Sequence, residues 1–318
     1  MTPFRWFLTA LSFAALIGVS VYIVADWGSA ARGASLSLPA MAHILAGSAV
    51  ATEICTRAWK ITYSAKAVGL WLPFRVGLRT CLGGDFGAAI TPARSGAEPA
   101  RYLILSEAKL TPANVLLILF AEIFLEALSL AAVVAVCAIF FHAAGAVLTA
   151  LIMVAGGYAG VVLGVGTLAL FVSRRGTLGP PPPWARRLRL TGGRWRMVQR
   201  SLRRVRDTVE QVRTLNWRFA TIALVMSIVH VAVRLAILPA LVLTTHPDVP
   251  LAPIALWPFS FLYGAVIVPV PGGGGAVEVI FAKVLGDIIP ETIFGASLLW
   301  WRFYTFYVYI ILGAIVAG

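Results

Sequence analysis

The sequence predicts an all-α, polytopic helical membrane protein. About six full spans and two opposed re-entrant broken-helix hairpins are expected, arranged as an inverted repeat. Three observations predict this class. First, 60% of the 318 residues are hydrophobic and 12% are charged, roughly half the charged share of a soluble domain. Second, apolar residues run without interruption over stretches of about 20 positions, one bilayer thickness of helix. Barrel strands would instead alternate apolar and polar over roughly 10 residues. Third, two Pro/Gly-rich interruptions fall inside apolar segments, one in each half of the chain. The composition excludes a disordered chain, and it argues against a water-soluble enzyme, which needs far more polar surface to cover its core.

The elements follow in chain order. Residues 6–25 form a first apolar run behind Arg5, read as a retained span rather than a signal peptide because its apolar core is long. Residues 38–55 form the second. Arg57, Lys60 and Lys66 follow it, which by the positive-inside rule puts that end in the cytoplasm, with both termini on the same side. Residues 67–105 carry no long charge-free run, and Pro92 and Gly96 predict two half-helices joined by a break near 91–98. Residues 113–141 and 146–172 are two spans joined by a short turn. Residues 219–243 and 293–316 are two more, separated by a second irregular stretch with Pro269, Pro271 and Gly272 to Gly275 at its centre. The chain thus divides into a membrane half (1–173, hairpin 67–105), a basic loop (174–217) and a second membrane half (218–318, hairpin 253–290).

The formal net charge of +13 is concentrated in that loop: thirteen arginines lie between Arg174 and Arg218, against Asp207 and Glu210. A cytoplasmic loop explains this better than nucleic-acid binding. Within it, Trp195, Val198, Leu202, Val205, Val209 and Val212 repeat at helical spacing. This predicts an amphipathic helix lying on the anionic lipids of the inner leaflet, with a helical partner as the alternative. The three cysteines and four histidines show no disulfide or metal-ligand spacing, so neither a metal nor a cofactor is expected.

The two breaks carry the chemistry. One reads Thr91-Pro92-Ala93-Arg94-Ser95-Gly96-Ala97-Glu98-Pro99, the other Pro269-Val270-Pro271-Gly272-Gly273-Gly274-Gly275-Ala276-Val277-Glu278. Each places a Pro, a Gly four residues on, and a Glu within three more. Corresponding breaks in two halves point to a transport site. Unwound backbone at membrane depth must face protein, water or substrate. Half-helices starting after Gly96 and Gly275 would aim free N–H groups at a phosphate or carboxylate, and Gly273 and Gly274 would let it approach the backbone. Charges inside other spans need a cavity or a partner: Glu122 and Glu126 share a helix face, Arg234 lies one turn after His230, and Arg302 follows Trp300 and Trp301. Arg94, Arg101, Arg234 and Arg302 are the candidates for an anionic headgroup, with Glu98 and Glu278 for its polar remainder and Glu122 and Glu126 as a proton or headgroup relay. Simple capping and structural ion pairing are the competing readings. The aromatics of residues 300–309 read by default as an interfacial belt.

On Thr91-Pro92…Gly96-x-Glu98-Pro99-x-Arg101 and Pro269-x-Pro271-Gly272-Gly273-x-Gly275-x-x-Glu278, the sequence resembles the transmembrane flippase region of lysylphosphatidylglycerol synthase (multiple peptide resistance factor) and its stand-alone relatives. The resemblance covers nearly the whole chain, and Arg94 and Ser95 depart from the small or apolar residues common there. It implies a lipid translocase of the bacterial inner membrane, moving an anionic or aminoacylated phospholipid or a related lipid between leaflets. No aminoacyl-transfer domain follows Gly318, so the chain is expected to be no enzyme. No Gly-x-x-x-x-Gly-Lys loop points to ATP. A carrier of a small solute or ion, a non-transporting subunit of an envelope-lipid pathway, and assembly with further copies of the chain stay open.

Overall fold

The computed structural model describes residues 36–91, 94–142, 145–173, 216–264 and 275–317, with a few isolated residues outside these stretches. Every regular element among them is helical. The first apolar run, most of the basic loop with its amphipathic helix, Pro92, and the glycines 272–274 lie outside the described residues.

Helix α1 (Ala40–Ala67) is the axis of the bundle, flanked by α2 (Phe74–Ala89), α4 (Pro112–Phe140), α7 (Trp217–Leu235) and α8 (Ile237–Val242). Helix α3 (Ala97–Glu107) packs on α2 and α4. Helices α5 (Ala146–Leu151) and α6 (Gly157–Ser173) are joined by a π turn at Ile152–Gly156. Helix α9 (Leu251–Gly264) packs on α5 and on α10 (Ala276–Leu285). Helix α11 (Glu291–Arg302) continues through a second π turn, Phe303–Tyr307, into α12 (Val308–Ala317), which packs on α2.

Local chemistry sets these ends. Pro112 opens α4, where the Thr111 hydroxyl accepts a hydrogen bond from the Asn114 N–H at 3.3 Å. The Asn216 side chain accepts from the Arg218 N–H to start α7, and the Asn216 N–H donates to the Ala67 carbonyl at 2.9 Å. The start of α7 therefore meets the end of α1, and the two run antiparallel.

Among the described residues, four helices are long and apolar enough to cross a membrane: Pro112–Phe140, Ala146–Gly164, Trp217–Leu235 and Glu291–Val316. The second predicted span runs further than its apolar stretch. Helix α1 continues through Arg57 and Lys60 to Ala67, and both cations are buried in the bundle. They are helix-interior residues, so of the cations used to mark a cytoplasmic end, Lys66 alone stands in the last turn.

Close helix approach rests on glycine, as suits association without a strong hydrophobic driving force. A Cβ on Gly77 would meet the Ala58 carbonyl of α1 at 2.6 Å, and one on Gly313 of α12 would meet the Leu82 carbonyl of α2 at 2.5 Å. Around this frame the apolar core forms three clusters. One joins the first half of α1 to α8, α10, α11 and α12; one joins α4, α6, α7 and α9; one joins the second half of α1 to α2, α3 and α4.

Candidate functional site

Helix α1 carries Glu53, Arg57 and Lys60 on one face at i, i+4 and i+7, the spacing that stacks side chains along a helix. All three are buried, and each finds its counter-charge on a different helix. Arg57 makes a two-pronged bond to Asp85 of α2, at 2.6 and 3.0 Å. Lys60 reaches Glu122 at 3.2 Å and Glu126 at 2.9 Å, both on α4. Glu53 takes Arg234 of α7. Beyond α1, Arg101 bridges Glu98 at 3.1 Å and Glu122 at 3.2 Å, and Arg302 of α11 holds the fully buried Glu278 of α10 at 2.5 Å. Charges away from water persist when paired and hydrogen-bonded, and one of these bonds, Glu53 to Arg234, ties the two halves of the chain together through α1.

The first break is a built structure. Helix α2 ends at Ala89 and α3 starts at Ala97 with Gly96 as its N-cap. The Thr91 hydroxyl donates to the Gly87 carbonyl and accepts from the Gly96 N–H, both at 2.7 Å, closing the turn from inside. Cβ atoms on Gly87 or Gly96 would each stand 2.6 Å from the other's carbonyl, so the two glycines bring the half-helices together. Arg94 takes a positive φ of 57°, a left-handed conformation uncommon outside glycine and often found at functional positions. The second half-helix, α10, starts after Gly275, whose φ of 79° suits glycine alone. Glu98 and Glu278 stand in the first turns of α3 and α10, where the helix dipole favours an acid.

Between these elements lies a small, partly open cavity of about 60 Å³. Arg94, Arg234, Arg302, Asp85, Thr305 and Tyr309 are the lining residues that carry polar groups, while Ala88, Ala89, Phe261, Leu262, Val277 and Phe306 supply apolar wall. The three arginines are unequally committed. Arg302 is almost wholly covered, and its guanidinium also lies 4.8 Å from the centre of the Phe306 ring. Arg234 is mostly covered. Arg94 is the most open, with 37% of its side chain exposed, and its carboxylate, Asp85, is 4.0 Å away and already held by Arg57. Around the cavity, the cations Arg57, Arg94, Arg234 and Arg302 outnumber the carboxylates Glu53, Asp85 and Glu278.

Of the residues singled out in the sequence, Arg94, Arg234 and Arg302 thus meet at one cavity. Arg101 points elsewhere, folded across Gly84 toward Glu98, Glu122 and, through Lys60, Glu126. Glu278 sits behind Arg302. Gly273 and Gly274 lie outside the described residues. The aromatics of 300–309 divide among three surroundings. Trp300 and Tyr304 pack on His43, Trp301 is buried against Phe281, and Phe306 and Tyr309 line the cavity. Sequence reasoning missed Glu53, Asp85, and the burial of Arg57 and Lys60. The i, i+4, i+7 spacing on one helix was the signal that could have found them.

An all-helical bundle with four long apolar helices and a polar cavity cut into it defines a multi-pass membrane protein. Residues 7–313 match the family described as the Lysylphosphatidylglycerol synthase TM region, and the chain belongs to that family. No curated protein matches it.

Proposed function

We propose that the chain is a lipid translocase, moving an anionic or aminoacylated phospholipid or a related lipid between leaflets of a bacterial inner membrane. One observation carries this reading: three arginines and an apolar wall share one cavity, the pairing of surfaces that an amphiphile with a phosphate presents. The excess of cations over carboxylates around the cavity leaves charge for an anion. Membership of a family named for lysylphosphatidylglycerol synthesis supports a lipid as the cargo. In this reading the phosphate binds first to Arg94, the most open of the three, and then draws Arg234 and Arg302 from their carboxylates. The two breaks enter from opposite faces, and rocking of the two halves opens the cavity to each leaflet in turn.

A leaflet-resolved assay in vesicles tests this. With a labelled phosphatidylglycerol in one leaflet, protein-containing vesicles equilibrate it faster than protein-free ones, and Arg94→Gln slows the exchange at least severalfold. Equal exchange with and without protein, for phosphatidylglycerol and for its lysyl derivative, would reject a translocase.

A further inference from the structure

The outward face of α1 differs from the face that carries the buried charges. Cys55 and Trp59 are exposed there, and Tyr63 and Lys66 follow at helical spacing, half-buried. Four rings form an unbroken row across three helices. Phe74 of α2 lies 4.7 Å from Trp59, Trp59 stacks on Tyr63 at 5.4 Å, and Tyr63 stacks on Phe219 of α7 at 6.1 Å, centre to centre. The Lys66 ammonium sits over the last two rings, 5.0 Å from the centre of Tyr63 and 5.8 Å from that of Phe219. Trp71, just before α2, and Trp217, the first residue of α7, are both exposed.

The charge at this end of the bundle is all of one sign. The bond from Asn216 to Ala67 joins the start of α7 to the end of α1, and α2 begins shortly after α1 ends. Residues 61–76 and 216–221 contain Lys66, Arg75 and Arg218 and no Asp or Glu. Arg75 and Arg218 are exposed, and none of the three cations has an ion pair among the described residues. Arg79, one turn after Arg75, is already taken by Glu107 at 3.2 Å. The ring contacts hold the Lys66 ammonium in place and leave its N–H donors without an oxygen partner among the described residues. An interfacial belt of separate rings, or a lysine near a helix C-terminus, accounts for residues singly. Neither accounts for rings in contact across three helices that end in a cluster of cations without an acid. From Trp59 to Lys66 the row covers about 10 Å along α1. It runs inward from the cations, as a phospholipid runs from phosphate through glycerol to its first methylenes.

We propose that this face binds one anionic phospholipid of the surrounding bilayer, its phosphate on Lys66 and Arg218 and its glycerol and upper acyl chain along Tyr63, Trp59 and Phe74. Three cations without a counter-charge meet a headgroup of net negative charge. A zwitterionic lipid brings a phosphate as well, but its ammonium faces the same three cations, so the site selects against it. The bound lipid bridges α1, α2 and α7 at their common end. The site shares no residue with the lining of the cavity and does not rest on the translocase reading.

Native mass spectrometry of the full chain tests this. The protein in detergent is given equal amounts of dioleoyl phosphatidylglycerol and dioleoyl phosphatidylcholine, which share their acyl chains. Wild type retains phosphatidylglycerol at least about fivefold over phosphatidylcholine, and Lys66→Gln combined with Arg218→Gln removes that preference. Arg75→Gln combined with Arg218→Gln, both at exposed positions where the fold is least at risk, weakens the preference and serves where the first pair fails to fold. Equal retention of the two lipids by wild type, as expected where another segment of the chain covers the row, overturns the site. A preference that both double variants keep in full overturns it too. Its loss in Arg94→Gln, with full retention in the double variants, assigns the lipid to the cavity instead and separates the failure of this site from that of the translocase reading.

Discussion

Arg94 and Arg302 line the same cavity under opposite constraints. Arg302 is sealed against Glu278 and Phe306, whereas Arg94 is half open on a strained backbone and shares its carboxylate with Arg57. Their substitutions therefore differ. Glu278→Gln removes the buried carboxylate that Arg302 holds, and breaking such a pair from one side costs about 3–5 kcal/mol. A clear fall in the thermal midpoint of the protein in detergent is the expected readout. Glu107→Gln removes the partner of Arg79 in an exposed pair, worth about 0–1 kcal/mol, and leaves that midpoint nearly unchanged. Thr91→Val removes both hydrogen bonds that close the first break and costs about 1–3 kcal/mol, read from the same melting curve. Residue chemistry was partly legible in the sequence. Arg94, Arg234, Arg302 and the Glu122–Glu126 pair stand out as charges within apolar segments. Arg57 and Lys60 did not, because a cation after an apolar stretch looks the same whether it faces cytoplasm or a buried carboxylate. Only Asp85 and the α4 glutamates, distant in sequence, distinguish the two.

At the scale of the element, helix ends were easier to read than helix partners. Gly96 and Gly275 mark the starts of α3 and α10 because proline and glycine act locally, on the backbone that carries them. The length of α1 was not legible, since its charged second half is stabilised by neighbours and not by its own sequence. The glycine contacts were equally hidden: Gly77 and Gly313 gain meaning from a carbonyl on another helix. Gly313→Ala must push α12 off α2, as its Cβ would lie 2.5 Å from the Leu82 carbonyl. Proteolysis should then cut the α2–α12 region at lower denaturant than in wild type. Gly160→Ala in α6 meets nothing within 4 Å and should match or exceed wild-type stability, since alanine is the better helix former by about 1 kcal/mol. Equal behaviour of the two variants would show that close backbone approach does not matter here.

At the scale of the whole molecule, the paired charges of the described helices are balanced but unevenly placed. Arg57, Lys60, Arg94, Arg101, Arg234 and Arg302 answer Glu53, Asp85, Glu98, Glu122, Glu126 and Glu278. The surplus cation lies by the cavity and the surplus carboxylate lies toward α3 and α4. Helix α1 joins the two sets, so a ligand that neutralises one is felt by the other. The proposed cycle depends on the phosphate reaching the cationic end. Photo-crosslinking measures that directly: a phosphatidylglycerol carrying a photoreactive group beside its phosphate is incorporated in vesicles with the protein, and the labelled peptides are identified by mass spectrometry. The account predicts labelling at cavity residues of α2, α9 and the 303–307 turn, suppressed by unlabelled phosphatidylglycerol and reduced in Arg94→Gln. Labelling confined to the lipid-facing surfaces of α4 and α6, unchanged by competitor or by the substitution, would contradict it.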